Sequence, residues 1–298
     1  MRLCWNDSFN GPLGKLRREE AEFVYNIGYR VAGINAGVTE ATDAEIEHAK
    51  GVFEDVGLTP GPYGLGASAI RPDKADEKKQ MKMIADALRI AGKLGCTTLR
   101  YSVGSLHPKD IWMHHPDNVT QKALDDLVDN TRELVPVAEE ANCILCPETT
   151  LWTVVNSIER MEEFVDRCNS PFVRIILDPV NHMTAQRVYD NGRWMKCAIA
   201  RLGDRIGVLH VKDVMVQDKL LVVHIDEAEM GTGLLDHEAL ITASDQLEPW
   251  KTFSLEHIRE RNLIKNAHDH IQGVADRMGY RWTDPKCTRE RWEKGECR

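Results

Sequence analysis

Short apolar runs of strand length alternate with longer segments of helical period along most of the chain. The short runs are rich in Val, Ile, Leu and aromatic residues and end at polar, loop-like breaks, as buried strands do. This pattern predicts eight strands, at residues 2–5, 31–35, 62–66, 98–103, 144–148, 173–178, 206–210 and 252–256.

The segments between the strands carry apolar residues three and four positions apart, which is typical of amphipathic helices. The clearest segment passes through Ile84, Leu88 and Leu94 and ends at Gly95, a common C-terminal cap. Three further helices are predicted at residues 124–138, 158–165 and 260–278.

Regular alternation of strands and helices favours a parallel α/β architecture, and eight repeats favour a (β/α)8 TIM barrel. The length of 298 residues fits, since such barrels typically need about 250 residues. An open doubly wound sheet is the alternative, but no glycine fingerprint follows the first strand. We therefore predict a single barrel domain over residues 1–282, followed by a C-terminal tail over residues 283–298.

The charge of the chain limits its partners. Acidic residues outnumber basic ones by 47 to 38, and the resulting net charge of −9 argues against a nucleic-acid partner. No apolar run approaches the roughly 20 residues that a membrane span needs. The N-terminal residues lack the apolar core of a signal peptide, so we expect a cytoplasmic protein.

The eight cysteines are scattered, and most lie in apolar segments, which indicates reduced, buried thiols. Cys143 and Cys146 lie three residues apart in a predicted strand and so point to opposite faces, which argues against a shared zinc or a redox dithiol. Cys287 and Cys297 lie in the polar tail, where we expect solvated thiols, with pairing as the alternative.

Four chemically reactive side chains end four successive predicted strands: Glu148, Asp178, His210 and Glu256. The carboxyl ends of barrel strands meet in one mouth, so these groups are expected to converge. The three carboxylates would repel one another strongly there without a cation. The set of oxygen and nitrogen ligands indicates one divalent metal ion: Mn²⁺, Mg²⁺, Co²⁺ or Zn²⁺.

The local motifs around these residues resemble those of the xylose isomerase-like TIM barrel superfamily, the sugar phosphate isomerase/epimerase family. They are PETT, LDPVN, LHVKD, GTGLLDHEAL and SLEH, and the resemblance extends over roughly residues 30–280. It implies that Glu148, Asp178, His210 and Glu256 bind one divalent cation, with Mn²⁺ the first expectation. It also implies that Glu148 and Glu256 are the catalytic acid/base pair.

The implied reaction is isomerisation or epimerisation of a sugar or polyol ketone through a metal-stabilised enediolate. The chain departs from sugar epimerases, which carry His three residues after the equivalent Asp and Arg after the equivalent His. Here Asn181 stands in the first place, and no Arg follows His210 closely. A lyase on the same scaffold, inosose dehydratase-like or C-glycoside-cleaving, is therefore the alternative.

Other side chains near the strand ends are candidates for contacts with a small carbohydrate substrate, against the simpler alternatives of loop caps, ion pairs and solvated side chains. They are Asn181, His182, Lys212, Arg100, Trp5 and His114. By analogy with similar barrels, and from two tryptophans, Trp282 next to the start of the tail and Trp292 within it, a homo-oligomer is expected.

Two further classes compete with the enzyme hypothesis. Apurinic endonucleases share this barrel, but their additional His and acidic ligands have no counterpart in INAG and YGLGAS at the ends of strands two and three. A non-catalytic sugar-binding protein is the second class, yet binding alone does not require paired carboxylates facing a metal.

Overall fold

Eight parallel strands form a closed barrel in the computed structural model, which describes residues 1–37, 39–219, 221–258 and 260–297. The barrel strands are β1 (Arg2–Phe9), β2 (Val31–Ile34), β3 (Thr59–Ser68), β4 (Thr98–Ser102), β5 (Ile144–Glu148), β6 (Ile175–Leu177), β7 (Ile206–Val211) and β10 (Thr252–Leu255). Around the ring they follow the order β1, β10, β7, β6, β5, β4, β3, β2. The predicted (β/α)8 TIM barrel is confirmed.

Helices surround the barrel, and all four predicted helices are present. The described residues contain α1 (Arg18–Ile27), α2 (Asp43–Val56), α3 (Lys74–Leu94), α4 (Gln121–Ala141), α5 (Ile158–Cys168), α6 (Asn191–Leu202), α7 (His237–Ser244), α8 (Arg261–Met278) and α9 (Arg289–Glu293). Within the described part of the chain, no helix is both long and apolar enough to span a membrane.

Local sequence signals account for where the helices begin and end. Thr42 and Glu45 form a capping box at the start of α2, and Asp73 accepts two backbone N–H bonds at the start of α3. Gly57 and Gly95 end these helices in the left-handed conformation that glycine adopts at little cost. The apolar face of α3, which includes Ile84 and Leu88, is fully buried against the sheet.

The segment after β7 contains a two-stranded antiparallel hairpin, β8 (Asp213–Val216) and β9 (Ile225–Ala228), which the hydrophobic pattern did not predict. Asp213 fixes its base. The carboxylate of Asp213 accepts backbone N–H bonds from Val214, Gly231, Gly233 and Leu235 at 2.8–3.0 Å. The backbone N–H groups of Gly231 and Gly233 are thus already hydrogen-bonded to a side chain of the protein.

The predicted tail packs against the N-terminal end of the barrel. Cys287 is buried beside Trp250 and forms a disulfide with Cys297. The guanidinium of Arg2 donates to the backbone carbonyls of Trp250 and Pro285. The expectation of solvated thiols at this pair is therefore wrong, because both cysteines pack with apolar side chains at this end of the barrel. Five of the other six cysteines are free and buried, and Cys197 is free and exposed.

Candidate metal centre

The four predicted ligands converge at the C-terminal mouth of the barrel. Glu148 is the last residue of β5, Asp178 and Glu256 directly follow β6 and β10, and His210 is the penultimate residue of β7. Each contributes one ligand atom to a group whose members all lie within 4.8 Å of one another. All four side chains are buried. The sequence-based expectation that they meet is confirmed.

Several polar atoms of this cluster lack hydrogen bonds. Asp178 Oδ2, Glu256 Oε1 and both ring nitrogens of His210 are buried without a hydrogen-bond partner in the part of the chain that the structure describes. His210 Nδ1 faces the carboxylates, 3.0 Å from Glu256 Oε1 and 3.4 Å from Glu148 Oε1. Unsatisfied buried polar atoms are costly unless a ligand uses them. Convergent oxygen and nitrogen donors of this kind fit a divalent metal ion.

The electrostatics of the cluster favour bound positive charge. Burial alone lowers the pKa of His210, but the Glu256 and Glu148 carboxylates outweigh it and raise this pKa to about 10. Burial raises the pKa of Asp178 to about 6, against the opposing effect of Lys212 and with help from Glu256 and Glu148. The site therefore attracts a proton or a metal cation to offset its acidic groups.

Lys212 places a positively charged ammonium group beside the acidic cluster. Its side chain is 3% exposed, and Nζ lies 2.9 Å from Asp178 Oδ2 and 3.1 Å from Glu256 Oε1. Its hydrogen bonds go elsewhere, to Asn181 Oδ1 at 3.1 Å and to Glu227 Oε1 at 2.8 Å. Nearby acidic groups raise the pKa of Lys212 well above its usual value although burial opposes this.

Two amides and one guanidinium orient the paired glutamates. Asn181 Nδ2 donates to Glu148 Oε1 at 2.9 Å, and Asn6 Nδ2 donates to Glu256 Oε2 at 3.2 Å. Arg100 Nη1 lies 3.7 Å from Glu148 Oε2. Each glutamate therefore has one oxygen held by an amide, which limits rotation of its carboxylate.

Three predicted substrate-binding residues lie farther from this centre. His182 is buried, with Nε2 3.0 Å from Thr149 Oγ1 and its ring stacked on Trp194. Trp5 is buried and packs against Phe23 and Tyr29. His114 is exposed, and its ring lies 5.9 Å from that of Trp152. By contrast, Asn181, Lys212 and Arg100 directly contact the acidic cluster.

Sequence reasoning missed a second polar group at the mouth. His257 Nδ1 lies 2.8 Å from Glu227 Oε1, and the His257 backbone N–H donates to Asp7 Oδ2. Asn35 links Asp7 to Arg100 through two side-chain hydrogen bonds. Asn35 ends one predicted strand and Asp7 lies shortly after another, so strand-end position could have indicated both residues. Glu227 lies in a hairpin for which no such signal is present in the sequence.

Two cavities flank this mouth. One, of about 260 Å³, is lined by Lys212, Glu227, Glu256 and His257 among others. The other, of about 480 Å³, is lined by Trp5, Asp7, Asn35 and His257 among others. His257, whose backbone φ of 58° is unusual for a residue other than glycine, borders both. A small polar ligand that reaches Glu256 through the first cavity would also meet the imidazole of His257.

Comparison with known proteins agrees with this architecture. A family model described as xylose isomerase-like TIM barrel matches residues 22–276. A search of curated proteins finds no match to this sequence.

Solved structures of similar fold include a D-psicose 3-epimerase from Clostridium cellulolyticum H10 with D-tagatose. It has a TM-score of 0.69 and 17% identity, covering 92% of this chain and 99% of that chain. The IOLI protein with a zinc atom has a TM-score of 0.68 and 17% identity, with 93% and 99% coverage. A xylose isomerase-like TIM barrel protein from Mycobacterium smegmatis, in complex with magnesium, has a TM-score of 0.68 and 15% identity, with 91% and 96% coverage. At these identities the similarity establishes the fold.

Proposed function

Because the chain belongs to the xylose isomerase-like TIM barrel family, we propose that it is a divalent-metal-dependent isomerase or epimerase of a sugar or polyol ketone. The observation that carries this proposal is the buried cluster of three carboxylates and one imidazole with unsatisfied ligand atoms. The sugar epimerases among its structural neighbours support the same reaction class.

Glu148, Asp178, His210 and Glu256 would hold the cation, for which Mn²⁺ is our first choice and Mg²⁺, Co²⁺ and Zn²⁺ are alternatives. When bound, a divalent cation polarises a substrate carbonyl and stabilises negative charge on its oxygen. The unsatisfied atoms of Asp178, Glu256 and His210 support this assignment, since each would gain a partner.

Glu148 and Glu256 are the acid/base pair of the proposed reaction. Each has one oxygen held by an amide, from Asn181 and Asn6 respectively, so each carboxylate is held in a defined orientation. One glutamate removes the proton from the carbon next to the carbonyl, and the other returns a proton. Return to the opposite face of the same carbon epimerises the sugar; return to the neighbouring carbon exchanges aldose and ketose.

The substrate's hydroxyl and carbonyl oxygens would meet Asn181, Lys212 and Arg100. These three side chains contact the glutamates or Asp178 and carry the donors that sugar oxygens accept. Positive charge from Lys212 and Arg100 also opposes the negative charge that develops on the substrate. Trp5, His114 and His182 are weaker candidates, since the first and last are buried and His114 lies beside Trp152.

Elimination is the second candidate reaction, because it begins with the same proton removal and differs in losing a β-hydroxyl or another leaving group. The position that holds His in sugar epimerases is Asn181 here, and its amide is engaged by Glu148 and Lys212. An amide does not take up or release a proton near neutral pH, so Asn181 cannot replace the titratable side chain that sugar epimerases carry there. A lyase therefore stays the alternative reaction.

The first test is metal content by mass spectrometry of the purified protein and of an Asp178→Ala variant. We expect about one equivalent of a divalent metal in the parent and its loss in the variant, since the cluster would lose one charged ligand. Asp226→Asn is the matched control: it also removes a carboxylate, but one on the hairpin bonded to Gln217 and His224. A parent that stays metal-free when offered Mn²⁺, Mg²⁺, Co²⁺ and Zn²⁺ would refute the proposal.

A screen of ketoses and inososes in heavy water then separates the two reactions. Deuterium in the recovered sugar or its epimer supports isomerisation or epimerisation, whereas an unsaturated or deoxy product supports elimination. In either case Glu148→Gln and Glu256→Gln should each lower kcat by at least about 100-fold, because each removes a proton-transfer group.

A further inference from the structure

Lys212 is held beside the ligand cluster by groups that are not ligands. Its hydrogen bonds run to Asn181 and Glu227, while its contacts with Asp178 Oδ2 and Glu256 Oε1 are ion pairs without hydrogen-bond geometry. The ammonium thus adds positive charge next to two ligand oxygens without using their hydrogen-bonding capacity. Those oxygens stay available to a second cation.

Glu227 reaches Lys212 from the hairpin strand β9, and its position is fixed on several sides. Its carboxylate contacts both Lys212 Nζ and His257 Nδ1 at 2.8 Å. Asp213 binds four backbone N–H groups and so ties the hairpin base to the end of β7. Asp7, on the neighbouring strand β1, accepts a hydrogen bond from the His257 backbone N–H. The Glu227–Lys212 contact is therefore part of a network of hydrogen bonds and ion pairs that holds Glu227 in place.

We propose that Lys212 is a built-in cation that shares the oxygens of Asp178 and Glu256 with the metal. Glu227 is a positioning residue that fixes the Lys212 ammonium group and partly compensates its positive charge. The inference rests on the proposed function only in requiring a metal at this cluster. It extends that function by making the hairpin, through one carboxylate, a determinant of metal affinity.

The sign of each effect follows from Coulomb's law. A fixed ammonium next to ligand oxygens repels a divalent cation, and the repulsion is strong at a buried site. Removing the Lys212 charge therefore strengthens metal binding. Without the Glu227 carboxylate, Lys212 loses a hydrogen-bond acceptor and part of its charge compensation, so it repels the metal more strongly. This part of the effect disappears when Lys212 is replaced.

The experiment is calorimetric titration of the metal-stripped full chain with MnCl₂, for the parent, Lys212→Met, Glu227→Gln and the double variant. We expect Lys212→Met to bind Mn²⁺ at least tenfold more tightly than the parent. Glu227→Gln should bind it at least threefold more weakly, and this loss should fall below twofold in the Lys212→Met background. Circular dichroism establishes that each variant folds.

Two control variants measure the effect of charge alone. Lys219→Met removes a positive charge from the exposed end of the hairpin, and Asp226→Asn removes a negative charge one residue from Glu227. Both should change Mn²⁺ affinity by less than twofold. If Lys212→Met does not fold, Lys212→Gln replaces it, and the comparison of Glu227→Gln with Asp226→Asn still decides the role of Glu227.

The outcomes separate the two proposals. Unchanged or weaker Mn²⁺ binding in Lys212→Met overturns the built-in cation, and an equal Glu227→Gln effect in both backgrounds overturns its action through Lys212. Equal effects of Glu227→Gln and Asp226→Asn also overturn the positioning role. Absence of binding in the parent for Mn²⁺ and also for Mg²⁺, Co²⁺ and Zn²⁺ refutes the proposed function itself, and this inference with it.

Discussion

His182 is a buried histidine whose pKa is set by its surroundings in the fold, although it lies next to Asn181 in the sequence. It follows Asn181, which contacts the acidic cluster, yet its own ring is buried against Trp194 and Thr149. Burial lowers the pKa of His182 to about 4. The neutral imidazole is therefore the form that the folded protein accommodates, and a proton on it disfavours folding.

This pKa predicts how stability depends on pH. In unfolded chains the pKa of His is about 6.5. Between that value and about 4, the unfolded state binds a proton that the folded state does not, so stability falls as pH falls. Urea unfolding at pH 7.5 and 4.5 should show a loss from this residue of about 2–3 kcal/mol.

The neutral variant His182→Gln isolates that contribution, because glutamine does not titrate. Its loss of unfolding free energy between the two pH values should be smaller than that of the parent by the amount predicted for His182. Equal losses in the two proteins would show that the imidazole is not the group responsible.

At the scale of elements, the hairpin of β8 and β9 depends on one carboxylate. Asp213 is 2% exposed and accepts four backbone N–H bonds from residues 214–235. Three of these N–H groups, those of Gly231, Gly233 and Leu235, lie in a segment with no helix or strand to satisfy them. The hairpin in turn delivers Glu227 to the mouth.

Asp213→Ala should therefore be strongly destabilising, by roughly 3 kcal/mol, because it leaves several backbone donors without a partner. Hydrogen exchange should speed up at residues 231–235. Asp226→Ala, on the same hairpin but with partly exposed partners, should cost less than about 1 kcal/mol. Similar costs for the two variants would contradict this account of the hairpin.

At the scale of the whole molecule, the two ends of the chain close the N-terminal end of the barrel. Arg2, at the start of β1, binds the carbonyl of Pro285, and Thr283 binds the carbonyl of Met1. The Cys287–Cys297 disulfide holds the last helix in place. The predicted homo-oligomer stays a prediction; one of the tryptophans that suggested it, Trp282, packs against Phe253.

Breaking this disulfide should destabilise the fold without affecting the site. The bridge joins residues 10 apart, and loop-closure entropy for that length predicts a loss of about 2–3 kcal/mol in Cys297→Ser. Metal content should be unchanged, because the cluster lies at the other end of the strands. Thermal unfolding with and without dithiothreitol measures the effect; a parent that is insensitive to dithiothreitol and matches the variant would rule it out.

The barrel and its buried polar cluster were predictable because both follow from local, repeated signals. Four consecutive apolar runs of the predicted barrel end at Glu148, Asp178, His210 and Glu256, which form the buried cluster. In a parallel barrel, equivalent positions on different strands meet in space. The sequence by itself therefore determined the architecture, the family and the residues that form the cluster.

Only the tertiary structure decided how that cluster is surrounded. The pairing of Glu227 with Lys212, the burial of His182 and the disulfide that closes the barrel depend on contacts between segments far apart in sequence. The hairpin has short strands and an exposed apolar tip, so its pattern resembles a loop. Periodicity reports the face that a residue occupies, whereas partners and charge environments arise only when distant segments pack together.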